Sequence, residues 1–232
     1  MSQRAKAALP WVLSLAIVAY VLLSLDLERL KDDILMADIE GLVGLVALLT
    51  MIVFLADSGT LYLLFRRFLA PMTGKEVLAV KGVSYFFNAI TYSAGTGGIA
   101  YLVHRRWGTG FLHALSALLW LNFIDLMTLM IIIGAGLGLA GELLPDQLRT
   151  QLPYVLVVGA LISVGAIVYW RLGVDFLVLG RLRSWRIFRA FADANMADYG
   201  VMIASRVAFI GVYIVLTWLI LPTFQIEVPV LL

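Results

Sequence analysis

Apolar runs of about twenty residues recur along this chain, and they constrain its fold more than any other feature. LPWVLSLAIVAYVLLSL, residues 9–25, is the first, and others occupy 42–65, 110–139, 153–170 and 199–221. At 1.5 Å rise per residue, a helix of such length crosses a hydrocarbon core about 30 Å thick. Composition leaves no other place for them: 62% of the 232 residues are hydrophobic and 14% charged, against roughly 45–50% and about 25% in soluble domains. The fold class is therefore all-α, a polytopic helical bundle in the membrane, read as a single transmembrane domain over residues 1–232. Arg4 and Lys6 precede the first run as they would in a signal peptide. No small-x-small cleavage site follows it, however, and acids begin at once with Asp26, so residues 9–25 read as a span.

The same inventory removes several function classes. There is no cysteine, which excludes disulfides, thiolate catalysis and sulfur-ligated zinc or iron. His104 and His113 are the two histidines, so neither a metal site nor a cofactor is expected. A formal charge of +2, without a basic soluble module, argues against nucleic acid as a partner. His113 and Ser116 share a local face with no acid, which excludes a hydrolase triad. No nucleotide loop, glycosidase acid pair or nucleophile elbow is present.

Basic residues flanking spans stay on the cytoplasmic side, and this rule sets the parity of the segment 76–104, which is too polar for an ordinary span. With the N-terminus cytoplasmic, the acidic loop 26–40 lies outside and Arg66, Arg67 and Lys75 return inside. If 76–104 enters and leaves from one face, Arg105 and Arg106 are also inside, as are Arg171, Arg181, Arg183, Arg186 and Arg189. Only Arg29, Lys31 and Arg149 then lie outside, and Lys81 and Arg206 fall within the membrane. A single crossing would place the five-arginine connection outside. Parity therefore predicts five full spans plus a re-entrant broken helix pair over 76–104, in a multi-pass protein of the cell (inner) membrane. Within the connection 171–191, Val178, Leu182, Trp185 and Phe188 share a helical face apart from Arg183 and Arg186, which predicts a cytoplasmic interfacial helix.

The segment FNAITYSAGTGGIAYLV, residues 87–103, is the place to look for a break. Non-helical backbone at membrane depth survives only where protein or water satisfies it, so a break normally lines a cavity. Ser93 through Gly98 suit one: Gly97 and Gly98 permit it, and Asn88, Thr91, Ser93 and Thr96 supply polar side chains. A helix restarting near Gly97 would direct unpaired N–H groups into the cavity. The alternative is that these small residues serve tight helix packing.

Charged residues inside the apolar runs complete the candidate site. Asp57 lies nine residues before Arg66, about 13 Å along a helix and near the bilayer midplane. Asp125 sits mid-span with Asn122 and Thr128 three residues to either side on a shared face, and the three are expected to make a polar stripe. Intramembrane carboxylates are costly and face a partner or water, and Lys81 and Arg206 are the cations available to them. The expected substrate-binding set is Asn88, Thr91, Ser93, Thr96, Gly97, Gly98, Asp57, Lys81, Asn122, Asp125 and Arg206. The same four charged residues would equally serve structural salt bridges. GAGLG, residues 134–138, has the spacing of a close helix contact.

The order of these features resembles the lysylphosphatidylglycerol synthase transmembrane family, flippase-like membrane proteins. The resemblance rests on Asn88, Gly97, Gly98, the HRRWG turn at His104 to Gly108, and Asp125, within a segment order that runs from Leu42 to Leu221. It implies a lipid-handling protein whose partner is membrane phospholipid, binding or translocating an anionic or modified lipid without covalent chemistry. Family members commonly carry a second glycine-rich broken segment and sometimes an aminoacyl-transfer domain. This chain corresponds to the membrane part only, so the expectation is a truncated reading frame, or a homo-oligomer or partner subunit that supplies the second half, and no enzyme activity. The competing expectations are a small-solute or proton-coupled secondary transporter and a non-transporting membrane scaffold.

Overall fold

A computed structural model describes Tyr20, residues 39–88, 92–172, Arg183 and residues 185–224. Among the described residues every regular element is helical: α1 (Ile39–Phe68), α2 (Gly74–Asn88), α3 (Tyr92–Trp107), α4 (Phe111–Ala140), α5 (Asp146–Leu172), α6 (Arg189–Asp193) and α7 (Met196–Ile220), with 3₁₀ turns at Gly141–Leu143, Arg186–Phe188 and Leu221–Phe224. Four segments, Gly41–Phe68, Phe111–Leu143, Asp146–Arg171 and Met196–Ile220, are long and apolar enough to cross a membrane. They correspond to the runs 42–65, 110–139, 153–170 and 199–221. The run 9–25 lies outside the described residues. Large apolar side chains face outward along these helices, with Leu161 68% and Ile162 65% exposed on α5, a surface suited to lipid and not to water. Residues 49–216 form one compact unit, and the described residues of a second unit are Tyr20, 39–48 and 217–224.

The core of the larger unit follows helical periodicity. Leu61, Leu64, Phe65 and Phe68 point inward from α1, Val77 and Val80 from α2, Ile99, Ala100 and Val103 from α3, and Ala114, Ala117, Trp120 and Ile124 from α4. Spacings of three and four residues place each set on one face of its helix. Trp120 is fully buried, with Phe68 and Tyr199 against it at 4.8 and 5.3 Å between ring centroids.

Helix ends are set by local hydrogen bonding that hydropathy does not register. The Thr73 N–H donates to Glu76 Oε2 at 2.9 Å and the Glu76 N–H to Thr73 Oγ1 at 3.4 Å, a reciprocal cap at the start of α2. Asn195 and Asp198 repeat it at α7, at 2.7 and 2.9 Å, so that helix starts ahead of the apolar run expected at 199. Helix α5 likewise begins at Asp146, seven residues before Pro153. Its first two turns carry Asp146, Gln147, Arg149 and Gln151, and a helix extends into water where an apolar run cannot. Between α3 and α4, Gly108 takes φ +68°, the left-handed position that closes a helix C-terminus. His104 Nδ1 meets the Thr109 carbonyl at 2.8 Å across that turn.

The expected interfacial helix over 171–191 is corrected in part. Residues 173–182 and 184 lie outside the described residues, and beyond them the chain forms a 3₁₀ turn and then the short α6, docked onto α4. Ala190 and Phe191 are buried, and the Ala190 N–H donates to Ser116 Oγ at 2.8 Å. Ser116 thus holds a helix in place. Trp170, Phe188 and Phe191 stack around that junction at 5.6 to 5.9 Å. Packing of these rings against one another positions the described part of the segment.

The expected break at Ser93–Gly98 is also corrected. Helix α3 starts at Tyr92 and runs unbroken through the glycines, so the N–H groups of Gly97 and Gly98 are committed to carbonyls one turn back. Each helical glycine costs about 1 kcal/mol relative to alanine, whereas each unpaired peptide group in hydrocarbon costs several. Continuous helix wins, and the glycines serve proximity to α2. A Cβ on Gly98 would lie 2.7 Å from Phe87 Cδ2, and one on Gly95 would overlap the Asn88 carboxamide. Gly97 faces open space, and so do Gly136 and Gly138 of the α4 glycine motif, whereas a Cβ on Gly134 would meet Leu156 of α5 at 3.8 Å, an ordinary contact.

Candidate functional site

The charged residues that interrupt the apolar runs come together. Asp57 projects from α1, Lys81 from α2, Asp125 from α4 and Arg206 from α7. Lys81 Nζ lies 2.5 Å from Asp57 Oδ2. Arg206 donates through Nη1 to Asp57 Oδ1 at 3.0 Å and through Nε to Asp125 Oδ1. The result is a linear chain, Lys81–Asp57–Arg206–Asp125, in which charges alternate. The Lys81, Asp57 and Arg206 side chains are 14%, 14% and 11% exposed and Asp125 29%. Such burial is tolerable only because each charge has a partner.

Neighbouring groups hold this chain in register. Thr60, one turn after Asp57, shares a 2.8 Å hydrogen bond with Ser205, the residue before Arg206, and so ties α1 to α7 beside the ion pairs. The Tyr85 hydroxyl donates to Asp57 Oδ2 at 3.4 Å. The Arg206 guanidinium lies 4.6 Å from the centroid of the Phe209 ring and Lys81 Nζ 5.3 Å from that of Tyr85, so each cation also meets an aromatic ring.

The four charges line a cavity of about 160 Å³, with polar walls from Ser84, Tyr85, Asn88, Thr96 and Asn122 and an apolar floor that includes Leu61, Ile99 and Leu121. Of the residues expected from sequence, Asn88, Thr96, Asp57, Lys81, Asn122, Asp125 and Arg206 share this cavity. Gly97 and Gly98 do not line it, and Gly95 does. Thr91 and the Ser93 side chain lie outside the described residues. Thr128 is buried elsewhere and donates to its own Ile124 carbonyl at 2.8 Å. At 100° per residue it stands about 120° round the helix from Asn122, which separates it from the polar stripe it was expected to share.

Ser84 and Tyr85 join the lining without having been expected. Their signal was present: Lys81, Ser84, Tyr85 and Asn88 fall at i, i+3, i+4 and i+7, one face of α2. Among the described residues no group of three or more His, Cys, Asp or Glu side chains is placed to hold a metal ion. The cavity offers donors and acceptors of both signs in a partly dry setting. That chemistry suits binding of a polar or charged group. No family model, curated protein or solved structure matches the chain.

Proposed function

We propose that this chain is a lipid-handling membrane protein whose cavity receives a phospholipid headgroup while the acyl chains stay in the surrounding hydrocarbon. The observation that carries the reading is the ion-pair chain Lys81–Asp57–Arg206–Asp125 on the wall of a cavity among membrane-length helices. Polar groups kept at membrane depth mark a substrate path. At about 160 Å³ the space is below the roughly 300–1,000 Å³ of a drug-sized ligand's pocket, so it takes a headgroup and excludes a whole lipid. The mechanism is alternating exposure of this polar path to the two leaflets, with no bond made or broken. The resemblance to the lysylphosphatidylglycerol synthase transmembrane family points the same way.

The topology belongs to this proposal. Helices α2 and α3 have 15 and 16 residues, about 22 and 24 Å, short of a 30 Å core. They pack against each other, and Lys75 and Arg105 flank their outer ends. This supports a re-entrant pair opening to the cytoplasm, with residues 9–25 as the fifth span, the N-terminus inside and the cell (inner) membrane as the location.

The test is movement of acyl-labelled phospholipid between the leaflets of vesicles holding the purified full chain. Wild type is expected to move lipid. Asp57→Asn, which loosens both cations at once, is expected to slow it about tenfold, equivalent to about 1.4 kcal/mol on the barrier. Arg189→Ala, at an exposed pair outside the cavity lining, should match wild type. Equal rates for Asp57→Asn and wild type would remove these side chains from the mechanism. Absence of movement by wild type would remove the lipid reading, and solute-driven proton uptake in the same vesicles would replace it with a secondary transporter.

A further inference from the structure

The cavity wall is charge-balanced: Lys81 and Arg206 oppose Asp57 and Asp125, and each is already paired within the set. A ligand of one sign entering this space would detach a side chain from its partner and leave a net charge where water does not reach freely. A ligand carrying both signs exchanges one set of pairs for another and leaves the sum at zero. We propose that the ligand group is zwitterionic, an ammonium joined to a phosphate, as in a phosphoethanolamine headgroup.

The geometry gives each half of such a group a place. Arg206 donates through Nε to Asp125 and through Nη1 to Asp57, and an incoming phosphate takes over these guanidinium donors as charge-assisted acceptor. Lys81 reaches the same Asp57 carboxylate from its other oxygen, so both cations become available when that carboxylate turns to an incoming ammonium. Asp125 offers a second carboxylate, and the Tyr85 ring, already 5.3 Å from one ammonium, gives a face for another. Held by Phe209 beneath its guanidinium, Arg206 remains on the wall during the exchange.

This inference rests on the lipid reading for its source and on charge balance for its specificity, and one experiment separates the two. The full chain is reconstituted in vesicles with acyl-labelled phosphatidylethanolamine or acyl-labelled phosphatidylglycerol, so that the headgroups stay intact, and uptake of radiolabelled phosphoethanolamine is followed in parallel. Wild type is expected to move phosphatidylethanolamine at least about tenfold faster than phosphatidylglycerol, a discrimination of about 1.4 kcal/mol. Asp125→Asn, which leaves the wall positive, should lower that ratio, and Lys81→Gln, which leaves it negative, should raise it. Phosphatidylglycerol moving as fast as phosphatidylethanolamine, or a ratio that neither variant shifts, would overturn the zwitterionic specificity and leave lipid handling standing. Phosphoethanolamine uptake with no lipid movement would do the reverse, keeping the specificity and assigning it to a free solute. If neither lipid nor solute moves, both fail.

Discussion

Ion pairs occur in two settings in this molecule, and the distance across a pair does not tell the settings apart. At the helix ends Arg67 Nε lies 2.6 Å from Asp198 Oδ1, with the arginine 44% exposed. In the cavity wall Arg206 Nη1 lies 3.0 Å from Asp57 Oδ1, with both side chains under 15% exposed. Distance alone would rank the first pair higher. Water decides otherwise: an exposed pair is worth about 0–1 kcal/mol because solvent competes for both partners, whereas losing one partner of a buried pair strands the other at about 3–5 kcal/mol. The end pair also has a structural duty, since Asp198 caps α7 with Asn195. The inner chain caps nothing, and its four residues come from four helices that meet at a cavity.

The largest effect expected is therefore from Arg206→Met. It removes the guanidinium from Asp125 and leaves Asp57 with Lys81 and the Tyr85 hydroxyl. The expected loss is about 3–5 kcal/mol, read as a fall in the thermal unfolding midpoint in detergent. Adding Asp125→Leu should recover part of the loss by removing the stranded carboxylate. If the double variant lost as much as the two single variants together, the inner pairs would be no more coupled than those at the surface.

A smaller effect separates the wall from the charges on it. Gly95→Ala sets a methyl group against the Asn88 carboxamide and forces α2 and α3 apart, an overpacking cost of about 1–3 kcal/mol. Gly97→Ala meets open space and should be neutral or stabilise by up to about 1 kcal/mol through helix propensity. Two glycines two residues apart should thus respond with opposite signs in the same melting experiment. The same response from both would mean that proximity to α2 does not explain the glycines.

Arg67→Ala probes the end pair. Its cost should stay below about 1 kcal/mol at low salt and shrink further as salt is raised, because an exposed pair is screened over about 10 Å at 0.1 M. The Arg206→Met loss should be nearly independent of salt. A salt-insensitive Arg67→Ala would place that pair with the inner ones and erase the contrast.

The site was more legible in the sequence than its walls were. Asp57, Lys81, Asp125 and Arg206 stand out because each breaks an apolar run, and membrane energetics leave such residues few places to go. The glycine cluster was misread as a break because glycine's permissiveness is a local property. Whether it is spent on a bend or on close approach depends on Phe87 and Asn88 across the interface, a tertiary fact. Asp146–Gln151 were missed for another reason, since hydropathy registers where lipid begins and not where a helix begins. For the segment 186–193, arginine spacing alone does not separate a lipid-facing helix from a docked one. The separating residue is Ala190, small enough for its N–H to reach Ser116.

The smallest effect expected comes from a carboxylate in full contact with water. The backbone N–H of Thr73, then its hydroxyl, donates to Glu76 and holds its carboxyl below the usual range. A lowered folded-state pKa means that the charged form is favoured by folding, so this contribution is fully present above the unfolded carboxylate value, near 4.3. It is lost as pH falls through the lower folded value. The unfolding midpoint of wild type should therefore drop between neutral and acidic pH by slightly more than that of Glu76→Gln, which keeps the side chain's shape and has no carboxyl to titrate. Thr73→Val should flatten the profile by less, since it removes the hydroxyl that accepts the Glu76 N–H and donates to its carboxylate but keeps the backbone N–H that also donates there. Profiles that overlay for all three proteins would show that the cap contributes nothing through its charge.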